Sequence, residues 1–142
     1  MKIAFSQDVV HWEAAAVAVG AAVRWAEAAG TKVNVAVVDA GGNLAAFLRM
    51  PGAFLHSIDI AIDKAYTAAG FGLPTGAWTE ALMAHSPAVR GGIPLRPRMV
   101  CFGGGLPLRH EGRLIGGIGV SGGSEEQDEA CARAGLTAIG LA

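Results

Sequence analysis

The chain has 142 residues, enough for one domain, read here as residues 1–142, with a full core. It is 52% hydrophobic and only 16% charged, carries 21 glycines and has a net charge of −1. That balance excludes a basic nucleic-acid surface, and its surplus of apolar residues finds a natural outlet in a homo-oligomer.

Residues Met1 to Asp8 hold no long apolar core behind Lys2, so no secretory leader is expected and the location implied is cytoplasmic. The alanine- and valine-rich run Ala14 to Val23 is too short to cross a bilayer and is closed by Arg24. Cys101 and Cys131 stand in neither a metal spacing nor a disulfide framework, so both are read as reduced thiols.

In chain order, Ser6 or Asp8 is the expected cap of a first helix that stops at Gly30. Trp12, Ala16, Val19, Val23 and Ala26 are its expected buried stripe. Val33 to Val38 reads as a strand, Asp39 to Asn43 as a turn, and Leu44 to Met50 as the returning strand of an antiparallel hairpin. Arg49 shares a strand face with Phe47, a setting that suits either a carboxylate clamp or an arginine packed on the ring and paired with a surface acid.

Pro51-Gly52 breaks the chain before a second helix, Phe54 to Ala69, with Leu55, Ile58, Ile62, Ala65 and Ala69 as its apolar stripe. His56, Asp59, Asp63 and Thr67 follow one polar face, which a hard or borderline metal could use but which an ordinary solvated face explains better. Lys64 sits among small and apolar neighbours, either as a buried ion-pair partner or as a cation facing a ligand. Thr75 is the expected cap of a short helix through Trp78 and Met83, ended by His85-Ser86-Pro87. Residues 88–97, with Gly91-Gly92, Pro94 and Pro97, read as irregular, lying over a pocket or reaching a neighbouring subunit.

Met99 to Phe102 reads as a further strand. A hairpin follows, Gly105 to His110 and Arg113 to Val120, around a tight Glu111-Gly112 turn. Ser124 and Gln127 form a capping box at the last helix. The order α-β-β-α-α-β-β-β-α gives an α+β fold, an antiparallel sheet with helices against it.

Glycines crowd the stretch Gly103 to Gly123, yet β-branched residues stand between them. A strand so rich in glycine lets something come close: another backbone, a ligand or a second subunit. Gly117 to Gly122 spells G-x-G-x-x-G, but its first two glycines fall inside the strand, and Glu125 and Glu126 open the helix where a pyrophosphate would sit, so a dinucleotide site is not expected.

Several segments together resemble the GlcG/HbpS family, a haem-binding or "haem-degrading" family that also forms the C-terminal domain of a corrinoid adenosyltransferase of propanediol metabolism. They are Val37 to Leu44, Arg49 to Ala53, Ser57-Ile58, Lys64 to Ala68, Pro74-Thr75, Gly103 to Pro107, Ile115 to Gly122 and Gln127-Asp128. The resemblance implies a five-stranded antiparallel sheet with helices packed against it, a homo-oligomer (octamer or tetramer) and haem as the best candidate ligand. Haem asks for an axial ligand in an apolar pocket. The candidates are His56, His11 and His85, with His110 behind them, Tyr66 or Thr67 near the iron, and Arg49 and Lys64 for the propionates.

A second reading is an enzyme acting on a small carboxylic acid. Arg49 and Lys64 would hold the acid, N–H groups around Gly104 and Gly122 would stabilise an oxyanion, and Asp128 or Glu126 would be the acid/base. Ser121 has no visible His/Asp partnership, so a hydrolase triad is not expected. The third reading is a non-catalytic accessory protein, its glycines serving subunit packing.

Overall fold

The computed structural model describes residues 1–141. The first helix, α1 (Trp12–Ala28), ends as its sequence predicts: Gly30 takes φ +73°, and Thr31 and Gly30 donate backwards to the Ala26 and Glu27 carbonyls. Strands β1 (Asn34–Asp39) and β2 (Leu44–Arg49) form the first hairpin. Its turn is tied by Asp39 Oδ1, which accepts from the Gly41 and Asn43 amides, while Gly42 sits at φ +85°. Helix α2 (His56–Phe71) follows and stops at Gly72, φ +65°. Short helices α3 (Trp78–Met83) and α4 (Pro87–Gly92) lead to the second hairpin, β3 (Gly105–His110) and β4 (Arg113–Ser121). Helix α5 (Glu125–Ala138) opens on the predicted Ser124/Gln127 capping box.

The sheet is antiparallel in the order β2-β1-β4-β3. Alternation along β1 divides its core. Val35 and Val37 point to α1 and α5, and Ala36 and Val38 point to α2. Helices thus cover both sheet faces.

The glycines of β4 explain how closely α2 lies. A methyl at Gly119 would run into the Ala61 carbonyl, and one at Gly117 into the Ala65 carbonyl. Of the three occupants that a glycine-lined strand allows, the one present is the backbone of α2.

The structure corrects the sequence reading in several places. Among the described residues the sheet has four strands rather than five, and the element order is α-β-β-α-α-α-β-β-α. Met99 to Phe102 does not join the sheet, because side chains meet its backbone groups: Val100 N–H donates to Thr67 Oγ1 and Gly103 N–H to Glu125 Oε1. The stretch expected to be irregular contains α4, capped by Ser86 and started by Pro87. Helix α1 is capped by His11 rather than Ser6 or Asp8, its Nδ1 accepting from Glu13 N–H at 3.3 Å. The buried stripe of α1 is Ala15, Ala18, Val19, Ala22 and Ala26, and Trp12 is exposed. On α2 the small residues Ser57, Ala61, Ala65 and Ala68 face inward and Leu55 faces out, because glycine-lined β4 leaves room only for small residues. Thr75 opens a 3-10 turn whose cap is Pro74, and its hydroxyl accepts from Gly105 N–H at 2.8 Å instead of capping α3.

Candidate functional site

Lys64, Asp128 and Gly104 come together at the end of β4. Lys64 is 1% exposed and donates to Asp128 Oδ2 at 3.1 Å and to the Val120 carbonyl at 2.8 Å. Asp128 Oδ1 accepts from Gly123 N–H at 2.9 Å, and the Phe102 ring centroid lies 5.1 Å from the ammonium. Burial pulls the Lys64 pKa below its ordinary value, against the opposing pull of Asp128 and Glu125. Gly104 takes φ +127°, and a methyl there would lie 2.6 Å from Lys64 Nζ. The packing leaves Lys64 as an ion-pair partner joining α2 to α5. Ser121 is buried nearby, and a methyl on Gly122 would run into the Lys32 carbonyl.

The other sequence-predicted residues are scattered over the fold. Arg49 pairs with no acid among the described residues; its guanidinium donates to the Ala53 carbonyl at 2.8 Å. Thr67 is buried and donates to the Arg98 carbonyl. The Tyr66 ring lies under the Arg98 guanidinium, 3.5 Å from ring centroid to Cζ, and Arg98 also binds Asp63 at 2.9 Å. His56 opens α2 and His85 follows α3, both exposed. Among the described residues no three His, Cys, Asp or Glu side chains gather to hold a metal ion, and on the polar face of α2 Asp63 pairs with Arg98.

His11 and His110 do share a site. The cleft between them has a volume of about 570 Å³, within the range of small-molecule pockets. Val9, Val10 and Ala14 wall it on one side, and Ile115, Ile139 and Leu141 on the other. Two contacts hold the N-terminal wall in place: Val10 N–H donates to the Ile115 carbonyl at 3.0 Å, and Asp8 pairs with Arg113. The His11 ring lies 5.5 Å from the exposed Trp12 ring. Imidazole nitrogens at the rim of an apolar wall can ligate a metal held in a flat apolar group. Sequence reasoning ranked His110 last, since nothing local says that the hairpin tip meets the N-terminal segment. The only advance signal was that a histidine stood on each.

Comparison with known proteins bears on this geometry. The chain is 40% identical over 114 residues to an uncharacterized 15.0 kDa protein from the dhaT-dhaS intergenic region of Citrobacter freundii, spanning 80% of its length. It is 38% identical over 121 residues to the corrinoid adenosyltransferase PduO of the same organism, of which it spans only 36%. The structure superposes on Streptomyces reticuli HbpS, in a double-mutant form, with a TM-score of 0.86 at 37% identity, covering 96% of this chain and 91% of that one. A PduOC:heme complex matches with a TM-score of 0.86 at 34% identity, covering 94% of this chain and 97% of that one. The model of the haem degrading protein HbpS-like family matches residues 10–137, and the chain belongs to that family.

Proposed function

We propose that this chain binds haem, or a close tetrapyrrole, in the cleft rimmed by His11 and His110. The observation that carries the reading is two histidines on a cleft of about 570 Å³ with largely aliphatic walls, which Gln7 and Asp8 also line. The donor set fits the group, with nitrogen ligands for iron and aliphatic walls for the macrocycle. A relative of 34% identity solved as a haem complex supports it. His11 and His110 would hold the iron, and Val9, Val10, Ala14 and Ile115 would cover the ring. Bound haem supplies a redox-active iron; the residues of the chain bind, orient and shield it. His56 and His85 lie outside the cleft, and the enclosure of Lys64 with Asp128 favours the haem reading over the small-acid enzyme.

The reading includes a cytoplasmic homo-oligomer. The free cysteines fit a reducing compartment, and exposed Phe54, Leu55 and Phe71 fit subunit contacts.

Titration of the purified chain with hemin tests the binding. The expected result is a saturable Soret band that His11→Ala abolishes, His110→Ala weakens and His56→Ala leaves unchanged. A non-saturating response, or indifference to both cleft histidines, overturns the reading.

A further inference from the structure

We propose that a small cavity between α2 and the segment returning from α4 is a second ligand site, which takes a small monocyclic carboxylic acid in its ionised form. The cavity has a volume of about 100 Å³ and shares no residue with the cleft between His11 and His110. Helix α2 supplies Tyr66, Gly70 and Phe71 to it, and the returning segment supplies Ile93, Pro97 and Met99. The Thr67 hydroxyl at its wall is already engaged by the Arg98 carbonyl and the Val100 amide. A space walled mainly by aromatic and aliphatic groups offers water few partners and suits a single ring or a short branched chain.

Contacts outside the cavity hold its aromatic walls. The Tyr66 ring is lodged against the β1–β2 turn, where a methyl on Gly42 would come within 2.6 Å of Cε2. The Phe71 ring meets the buried Trp78 ring edge-on, centroids 4.7 Å apart. Gly70 supplies room between them: it lies in α2, and nothing stands within 4 Å of an added methyl. Glycine in a helix costs stability that the packing at this position does not demand. Its missing side chain leaves space open on the cavity wall. A pocket formed before its ligand arrives keeps the ordering cost of binding low.

Charge sets the class of the ligand. Arg96 and Arg98 line the cavity, and no Asp or Glu does. Arg96 is exposed and pairs with no carboxylate among the described residues. Arg98 is fixed: its Nε donates to Asp63 at 2.9 Å, and its guanidinium lies on the Tyr66 ring, 3.5 Å from the centroid. Its backbone takes φ +65°, a left-handed conformation that is costly for a residue with a side chain and that concentrates at ligand clamps. With Nε spent on Asp63, the two terminal nitrogens keep their donors. Guanidinium groups beside an apolar slot hold a carboxylate while the ring or chain lies inside. An inorganic anion would meet the charge and leave the apolar walls uncovered, and a neutral hydrocarbon would leave the arginines unused.

Isothermal titration of the full chain with benzoate tests this. One saturable site per chain is expected, weakened about tenfold or more by Arg96→Gln. Benzamide, the neutral twin of benzoate, should bind more weakly by a similar factor. Gly70→Leu fills the cavity and is expected to abolish binding, and Gly70→Ala, which suits the helix, is expected to weaken it. A non-saturating response, equal binding of the two probes, indifference to Arg96→Gln, or full binding in both Gly70 variants overturns the proposal. Amide chemical shifts on adding benzoate give the location. They are expected to move at Gly70 and Met99, and movement confined to His11, Ile115 and their neighbours would put benzoate in the other cleft and overturn the proposal.

Discussion

Lys64 of α2 and Asp128 of α5 meet at 3.1 Å, with both side chains almost entirely buried. The pair joins the two helix layers around the end of β4, where the ammonium also takes the Val120 carbonyl. Removing one partner leaves an uncompensated buried charge, whereas removing both leaves an apolar gap. Asp128→Leu or Lys64→Met alone is therefore expected to lower unfolding free energy by about 3–5 kcal/mol. The double change Lys64→Met/Asp128→Leu should recover most of that loss. Urea denaturation of the four proteins checks it, and additive losses in the double variant would contradict the pairing.

Two glycines, close in space to one helix, should respond with opposite signs. At Gly119 a methyl collides with the Ala61 carbonyl and comes within 2.5 Å of the Ala65 amide nitrogen. Neither backbone group can move without shifting α2, so Gly119→Ala is expected to destabilise by about 3 kcal/mol or more. Gly70 lies within α2 with nothing inside 4 Å of an added methyl. Gly70→Ala should stabilise by about 0.5–1 kcal/mol through helix propensity alone. Thermal melts of both variants decide whether β4 is glycine-rich for the sake of α2. A tolerated Gly119→Ala would return the stretch to a ligand or subunit role.

The hairpins, the glycine stop of α1 and the capping box of α5 were legible because each is written in neighbouring residues. Asp39 to Asn43 form a turn from their own side chains, and Ser124 finds Gln127 three positions on. The missing fifth strand failed for the opposite reason. Val100 looks like strand, but its amide is met by Thr67, far away in sequence. Lys64 was flagged by its apolar neighbours, yet its partner lies 64 positions along the chain and no local pattern names it. The cleft depends on the same kind of distant meeting, between His11 and His110.

Thr67 anchors the segment between α4 and β3 through one hydroxyl, which donates to the Arg98 carbonyl at 2.9 Å and accepts from Val100 N–H at 3.1 Å. Thr67→Val keeps the shape and orphans both backbone groups, at a cost of about 1–3 kcal/mol. Hydrogen exchange at Val100 is expected to speed up in this variant, while protection in β1 falls only with global stability. Thr67→Ser should keep the slow exchange of the wild type. Equal exchange in all three proteins would mean that the hydroxyl does not hold this segment.

Cys131 gives the protein an alkaline limit. Its side chain is fully buried, Sγ donates to the Ala22 carbonyl at 3.0 Å, and burial, with Asp128 adding to it, pushes the thiol up to about 12 from 9.0. A raised acid pKa means that the folded state holds the proton where the unfolded chain releases it. The contribution is complete below pH 9 and drains away between 9 and about 12. By pH 10 the loss is about 1.4 kcal/mol. Lys64 works in the other direction, because its lowered pKa makes stability rise with pH up to its unfolded value. Comparison with Cys131→Ala separates the two. That variant starts lower at pH 7, since it leaves a small void in the α1–α5 contact, but it should lack the alkaline decline due to the thiol. Urea midpoints at pH 7, 9 and 10 are expected to converge as pH rises. Parallel curves would show that Cys131 ionises as freely in the folded protein as in the unfolded chain.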